Sequence, residues 1–187
     1  PVRSGESVLG DIVADAQLAA TSSKDTGEAV LAITNPGGIR NSIMQSGDGT
    51  VTYADVFASQ PFRNQLVTIT LTGAQIRRML EQQWTAPSFP RILQVSKGFS
   101  YTWDNARPVG NKIVTDSVVL NGEPVDSDTT YRVTVNNYLH SGGDGFSVLT
   151  EGKDPRVGAY DVDALTSYLK ANSPVSPIAP SRILRLN

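Results

Sequence analysis

Apolar residues in this chain switch repeatedly between helical and strand spacing without settling into a strand–helix–strand rhythm, and that irregular alternation confines it to the α+β class. From Ser7 to Ala20, Val8, Leu9, Ile12, Val13, Ala16 and Ala19 share one helical stripe while Asp11, Asp15 and Gln17 lie off it, which predicts an amphipathic helix capped by Ser4 or Ser7. Ala29 to Thr34 is short, apolar and branched, so it reads as a buried strand running into a turn at Asn35-Pro36-Gly37-Gly38. Thr52 with Asp55 predicts a capped short helix, Leu66 to Leu71 a strand, and Gly73 to Trp84 a helix through Ile76, Met79, Leu80 and Trp84. Ile92 to Leu120 reads as several strands, with Phe99, Tyr101 and Trp103 at period two on a half-exposed sheet and a turn at Pro108-Val109-Gly110. Asn121-Gly122 predicts a tight hairpin, because a type I′ turn needs positive φ at both central positions. Tyr131 to Val135 and Ile183 to Leu186 read as strands and Asp161 to Lys170 as a helix, so the expected fold is mixed β-sheets packed with helices.

At 187 residues with 39% apolar side chains, the chain can bury one good core but is short for two, so a single domain over 1–187 is expected. A formal charge of −2 without any long run of like charges argues against nucleic acid as a partner, and no apolar run is long enough for membrane insertion. The absence of cysteine removes thiol nucleophiles and thiolate metal sites. Histidine occurs once, at His140, so a histidine-based metal cluster or a two-histidine acid/base pair is out of reach, and no Gly-x-Ser-x-Gly elbow precedes a helix. The expectation is therefore a chain with no catalytic residues and no metal of its own.

Three segments carry groups able to grip a ligand. In Asn35-Pro36-Gly37-Gly38-Ile39-Arg40 the glycines permit a sharp turn that presents amides, while Arg40 offers a fork of donors. In Asn136 to Phe146 a ring, Tyr138, and a carboxylate, Asp144, stand six residues apart across Gly142-Gly143-Asp144-Gly145; they suit either a stacked base with hydroxyls or a core tyrosine beside an Asp-Gly turn. In Pro61-Phe62-Arg63-Asn64 a phenylalanine precedes a strand between a proline and polar residues, as an exposed platform or as core.

Taken in order, these segments closely resemble the C-terminal domain of the 5'-nucleotidase family, which includes UDP-sugar hydrolases and 2',3'-cyclic-nucleotide phosphodiesterases. The resemblance runs through Leu9-Gly10-Asp11, Ala14-Asp15-Ala16, Asn35 to Arg40, Gln60 to Asn64, Leu71-Thr72-Gly73, Leu80-Glu81 and Gly142 to Phe146. It implies a nucleoside-binding domain that presents the phosphate of a nucleotide to its own N-terminal metallophosphatase domain, absent here, which would hold two divalent metal ions. By the same resemblance Phe62 and Tyr138 sandwich the base, although the family more often has phenylalanine at the second position. The resemblance further implies that Asp144 accepts from the ribose hydroxyls, that Asn64 meets the base edge, that Arg3 and Arg40 face the ribose and phosphate end, and that Asn35 pairs with Arg40 as a substrate-binding residue of the same loop. His140, in the clamp loop, reads either as a contributor to selectivity or, preferentially, as a solvent-facing imidazole. An extracytoplasmic location is implied too, with any export signal upstream. The same domain would serve a cyclic-nucleotide phosphodiesterase or a sugar-nucleotide hydrolase, and the remaining alternative is a non-catalytic module for nucleoside capture or dimerisation.

Overall fold

The computed structural model describes residues 3–85 and 89–187. In chain order its elements are α1 (Val8–Thr21), β1 (Leu31–Thr34), α2 (Tyr53–Ser59), β2 (Gln65–Thr72), α3 (Gly73–Glu81), β3 (Gln94–Val95), β4 (Phe99–Asp104), β5 (Val119–Leu120), β6 (Glu123–Pro124), β7 (Thr130–Asn136), α4 (Asn137–His140), β8 (Lys153–Tyr160), α5 (Asp161–Ala171) and β9 (Ile183–Leu186). The strands form two sheets, one ordered β3-β1-β7-β2-β8 and the other β6-β5-β4-β9. This is the expected α+β arrangement of mixed sheets packed with helices.

Local chemistry explains most boundaries. Ser7 caps α1 by accepting from the Gly10 amide, and both α2 and α3 begin with reciprocal capping boxes, Thr52 with Asp55 and Thr72 with Gln75. The predicted helix Gly73 to Trp84 is in fact α3 followed by one tighter turn, Gln82–Trp84. Asn121 and Gly122 take positive φ, 53° and 89°, and join β5 to β6 as an antiparallel pair. Phe99, Tyr101 and Trp103 all face inward from β4 while the residues between them are half-buried.

The central sheet is covered on both faces. One face sends Leu31, Ile33, Ile69, Leu71, Val133 and Val135 into a core shared with α3 and with the aromatic face of β4. The alternating residues face α1, where Thr21, Thr134 and Thr68 form a buried hydroxyl chain with both links at 2.7 Å. On that side Val13 and Ala16 of α1 join Val56 of α2 and Val162 and Leu165 of α5 in a second cluster. The approach of α1 to the sheet is close: a Cβ on Gly10 would collide with the side chain of Gln94. That Gln94 carbonyl accepts from the backbone and hydroxyl of Ser7 at 2.8 and 3.1 Å.

The chain's two end segments are fastened together by charge. Glu6 accepts from the backbone amides of Ser181, Arg182 and Ile183. Arg182 makes a two-pronged pair with Asp15 at 2.7 and 2.8 Å and lies 3.9 Å from Asp11. Burial pushes the Asp11 carboxyl up to about 8; Arg182 opposes this, whereas a hydrogen bond with Glu6 and the charges of Glu6 and Asp15 add to it.

Candidate functional site

Strand register, more than sequence proximity, decides which loops meet. β1 and β7 are parallel, with Leu31 opposite Val133 and Ala32 opposite Thr134, so the segments following Thr34 and Asn136 leave the sheet at the same end. β2 is antiparallel to β7 with Leu66 opposite Asn136, so Phe62 to Asn64, just before β2, arrive at that end too. β3 is antiparallel to β1 with Gln94 opposite Thr34, which brings in Phe89 and Arg91. Arg3 is drawn alongside because its carbonyl accepts from the Ile92 amide at 2.9 Å. All seven residues expected to contact a ligand therefore sit around one end of the central sheet.

Their geometry centres on Asp144. The Asn35 amide donates to its Oδ2 at 2.7 Å and the Tyr138 hydroxyl to its Oδ1 at 3.1 Å. The Arg91 guanidinium stands 3.7 Å from Oδ1 and donates to the Asp144 carbonyl at 3.3 Å. Asn35 is itself held from behind, since Asn136 donates to its Oδ1 at 3.0 Å while accepting from the Leu139 amide at 2.8 Å. Gly37 borders the same point: a Cβ there would stand 3.2 Å from Asn35 Nδ2, 3.4 Å from Asp144 Oδ2 and 3.9 Å from Arg3 Nη1.

Around this network, buried at Asn35 and Asn136 and half-buried at Asp144, the rings are open to solvent. Phe62 is 54% exposed and Tyr138 47%, so neither is a core residue and both rings are free to meet a ligand. The Arg40 guanidinium lies 5.6 Å from the Phe62 ring centroid and donates to the Gly37 carbonyl at 3.2 Å, which covers one face of that ring. Asn64 is less free than expected: its amide nitrogen donates to Asp161 Oδ2 at 3.1 Å and its backbone carbonyl accepts from the Asp161 amide at 2.8 Å. That contact anchors the start of α5, and burial raises the Asp161 carboxyl above the ordinary range against the pull of the Val162 and Asn64 hydrogen bonds.

Two residues absent from the sequence reading belong to the arrangement. Arg91 neighbours Asp144, and Phe89 takes the guanidinium of Arg3 at 5.6 Å and that of Arg91 at 5.5 Å. Phe89-Pro90-Arg91 carries no pattern beyond an aromatic and a cation before an apolar run; only the β1–β3 register reveals its place.

A cavity of about 430 Å³ opens elsewhere, between α3, the Gly110 turn and the segment Ser147–Glu151. Its polar lining is already paired within the protein: Arg78 with Glu151, Arg77 with the carbonyls of Thr115 and Val125, Glu81 with the amides of Lys112 and Ile113. It offers a ligand little that is unsatisfied, so the sheet end is the candidate site. Among the described residues no group of three or more His, Cys, Asp or Glu side chains is placed to hold a metal ion, and no helix is long and apolar enough to cross a membrane.

Residues 1–151 match the model of the family described as 5'-nucleotidase, C-terminal domain. The chain belongs to that family. It is 37% identical to the trifunctional nucleotide phosphoesterase protein YfkN of Bacillus subtilis, over 97% of this chain and 12% of that protein. It is 33% identical to a 5'-nucleotidase of Vibrio vulnificus, over 85% of this chain and 27% of that one. The crystal structure of a 5'-nucleotidase precursor from Thermus thermophilus superposes over the whole chain with a TM-score of 0.84 and 37% identity, covering 37% of that structure. The chain thus spans well under half of each of these larger proteins, in which the 5'-nucleotidase C-terminal domain is one part of a hydrolase.

Proposed function

We propose that this end of the sheet binds the nucleoside moiety of a nucleotide and holds its phosphate toward a separate metallophosphatase domain, making the chain the recognition half of a 5'-nucleotidase-type phosphoric ester hydrolase. One observation carries the reading: two exposed rings, a held carboxylate and the guanidinia of Arg3, Arg40 and Arg91 converge at one end of the central sheet in a chain of this family. Phe62 and Tyr138 would stack on the base, Asp144 would accept from ribose hydroxyls, and Arg3 and Arg40 would neutralise and orient the phosphate. Asn64, with its amide nitrogen engaged by Asp161, has Oδ1 left to accept from the base edge.

The two divalent metal ions belong in this proposal to the partner domain, where they would activate the attacking water; this chain by itself would not hydrolyse substrate. The 1–187 unit would act as a single domain, outside the cytoplasm, in nucleotide breakdown. A second reading places the same base clamp in a cyclic-nucleotide phosphodiesterase or a sugar-nucleotide hydrolase, and the likeness to a protein named as a trifunctional nucleotide phosphoesterase supports keeping more than one ester in view.

Stacking is worth on the order of 1–3 kcal/mol per base, so the half-site alone should hold a nucleoside near the millimolar level, about −4 kcal/mol. The test is an NMR titration of the chain with adenosine, AMP and UDP-glucose, following the amides of Gly37, Gly38, Phe62, Tyr138 and Asp144. Saturable shifts confined to these loops are expected; silence at tens of millimolar would refute the reading. In the enzyme containing both domains, Phe62→Ala or Tyr138→Ala should raise KM by about one to two orders of magnitude, since each removes one face of the clamp.

A further inference from the structure

We infer that the Tyr138 hydroxyl is a positioning group, fixing Asp144 so that its carboxylate selects the vicinal diol of a ribose; the inference rests on the nucleoside-binding reading above and adds a determinant of sugar specificity to it. Asp144 occupies a conformation that a non-glycine residue rarely adopts, φ 56° and ψ 11°, on a turn bounded by Gly142 and Gly145, themselves at φ 82° and 88°. The turn's own bonds, from the Gly145 amide to the Gly142 carbonyl and from the Phe146 amide to the Gly143 carbonyl, hold the main chain, so restraint of the carboxylate has to come from side chains. Tyr138 supplies it twice: its hydroxyl donates to Asp144 Oδ1 and accepts from the Asp144 amide, both at 3.1 Å. The ring is seated for this by Gly143, where any Cβ would press into the Tyr138 ring and carbonyl.

Counting acceptor positions gives the selectivity. An ionised carboxylate offers about four lone-pair directions, two on each oxygen. Tyr138 takes one on Oδ1 and Asn35 takes one on Oδ2. Arg91, at 3.7 Å, lies beyond hydrogen-bond length and contributes charge without occupying an acceptor direction. One direction therefore stays open on each oxygen, and two hydroxyls on adjacent sugar carbons fill both. A deoxy sugar would leave an open acceptor facing the ligand with no donor. A phenylalanine at position 138 would keep the stacking surface but leave the Asp144 amide and Oδ1 each short of a partner, so the carboxylate would be held by Asn35 at Oδ2 alone and less firmly oriented.

The experiment compares the 187-residue chain with its Tyr138→Phe variant, titrating each with adenosine and with 2',3'-dideoxyadenosine by NMR and following the Asp144 amide. The native chain should bind adenosine more tightly than the dideoxy compound. In Tyr138→Phe, adenosine should weaken roughly three- to tenfold, the worth of one hydrogen bond, while the dideoxy compound changes by less than about twofold, so the preference narrows by about that factor. The Asp144 amide proton should also shift upfield in the free variant as it loses its acceptor. Equal weakening of both ligands, or an unchanged preference, overturns the positioning role while leaving nucleoside binding intact. A native chain that binds neither compound overturns the nucleoside reading itself, and this inference with it.

Discussion

Replacing Asn35 by leucine probes whether the buried amide chain behind Asp144 is a working support. The residue is 3% exposed and its side chain carries two bonds: it donates to Asp144 Oδ2 at 2.7 Å and accepts from Asn136 Nδ2 at 3.0 Å. Leucine has similar bulk but neither donor nor acceptor. Removing the bond to the carboxylate forfeits a charge-assisted interaction of about 1.5–3 kcal/mol, and leaving the Asn136 amide buried without a partner costs roughly 1–3 kcal/mol. Added apolar burial of the leucine offsets part of this, so the expected loss is about 2–4 kcal/mol. For a domain of this size each kcal/mol lowers Tm by about 2–4 °C, giving a fall of roughly 4–16 °C. Urea unfolding with Asn35→Leu, Asp144→Ala and the double variant would show a coupling of about 1–3 kcal/mol between the two positions. A loss below about 1 kcal/mol, or additive single effects, would mean that the network does not support the carboxylate.

Three further outcomes follow from other parts of the molecule. Because the Asp11 carboxyl titrates near 8 in the fold against an ordinary 3.8, the native state holds one proton more than the unfolded chain between those values, so its contribution to stability declines as pH rises across that window; Asp11→Asn should flatten the fall of Tm between about pH 5.5 and 8.5, and parallel profiles would refute this. Gly37→Ala should cost only about 1 kcal/mol in a thermal melt, since its φ is not in the left-handed region, yet reduce nucleoside affinity by placing a methyl 3.2 Å from Asn35 Nδ2 and 3.4 Å from Asp144 Oδ2; unchanged titration curves would show that the site lies elsewhere. Tyr101→Phe removes the hydroxyl that donates to Gln83 Oε1 at 2.9 Å, but that oxygen keeps the Leu93 amide at 2.7 Å, so urea unfolding should register a loss near 1 kcal/mol, and a loss above about 3 would point to packing effects instead.

Much of the architecture was legible from periodicity. The helices beginning near Ser7, Thr52, Thr72 and Asp161, the Asn121-Gly122 hairpin and the inward aromatics of β4 all follow from local signals that agree with their tertiary setting. β8 was not legible. Lys153 to Tyr160 contains Pro155 and Gly158, and nearly all of its side chains are exposed, because it is an edge strand held by backbone pairing to β2 and so shows no apolar alternation. Of the site, the aromatics, Asp144 and the Asn35 to Arg40 loop were visible in motifs, but their meeting depends on the parallel β1–β7 register, which no local pattern encodes. For the same reason no local pattern marks Arg91 and Phe89, which β3 brings in. The tie between Asn64 and Asp161 spans 97 positions and was equally hidden.

The parallel ladder also dictates when the site can come into being. Joining Leu31 to Val133, and Asn35 to Asp144 across 109 positions, requires most of the chain to have been gathered before either contact gains anything. Such non-local pairing belongs to the slow end of folding, whereas the capped helices can form early and transiently. Nucleoside affinity should therefore be absent from any partly collapsed species and appear only in the last kinetic phase of refolding. A ligand of this site would act on the lifetime of the finished fold and leave the speed of its making unchanged.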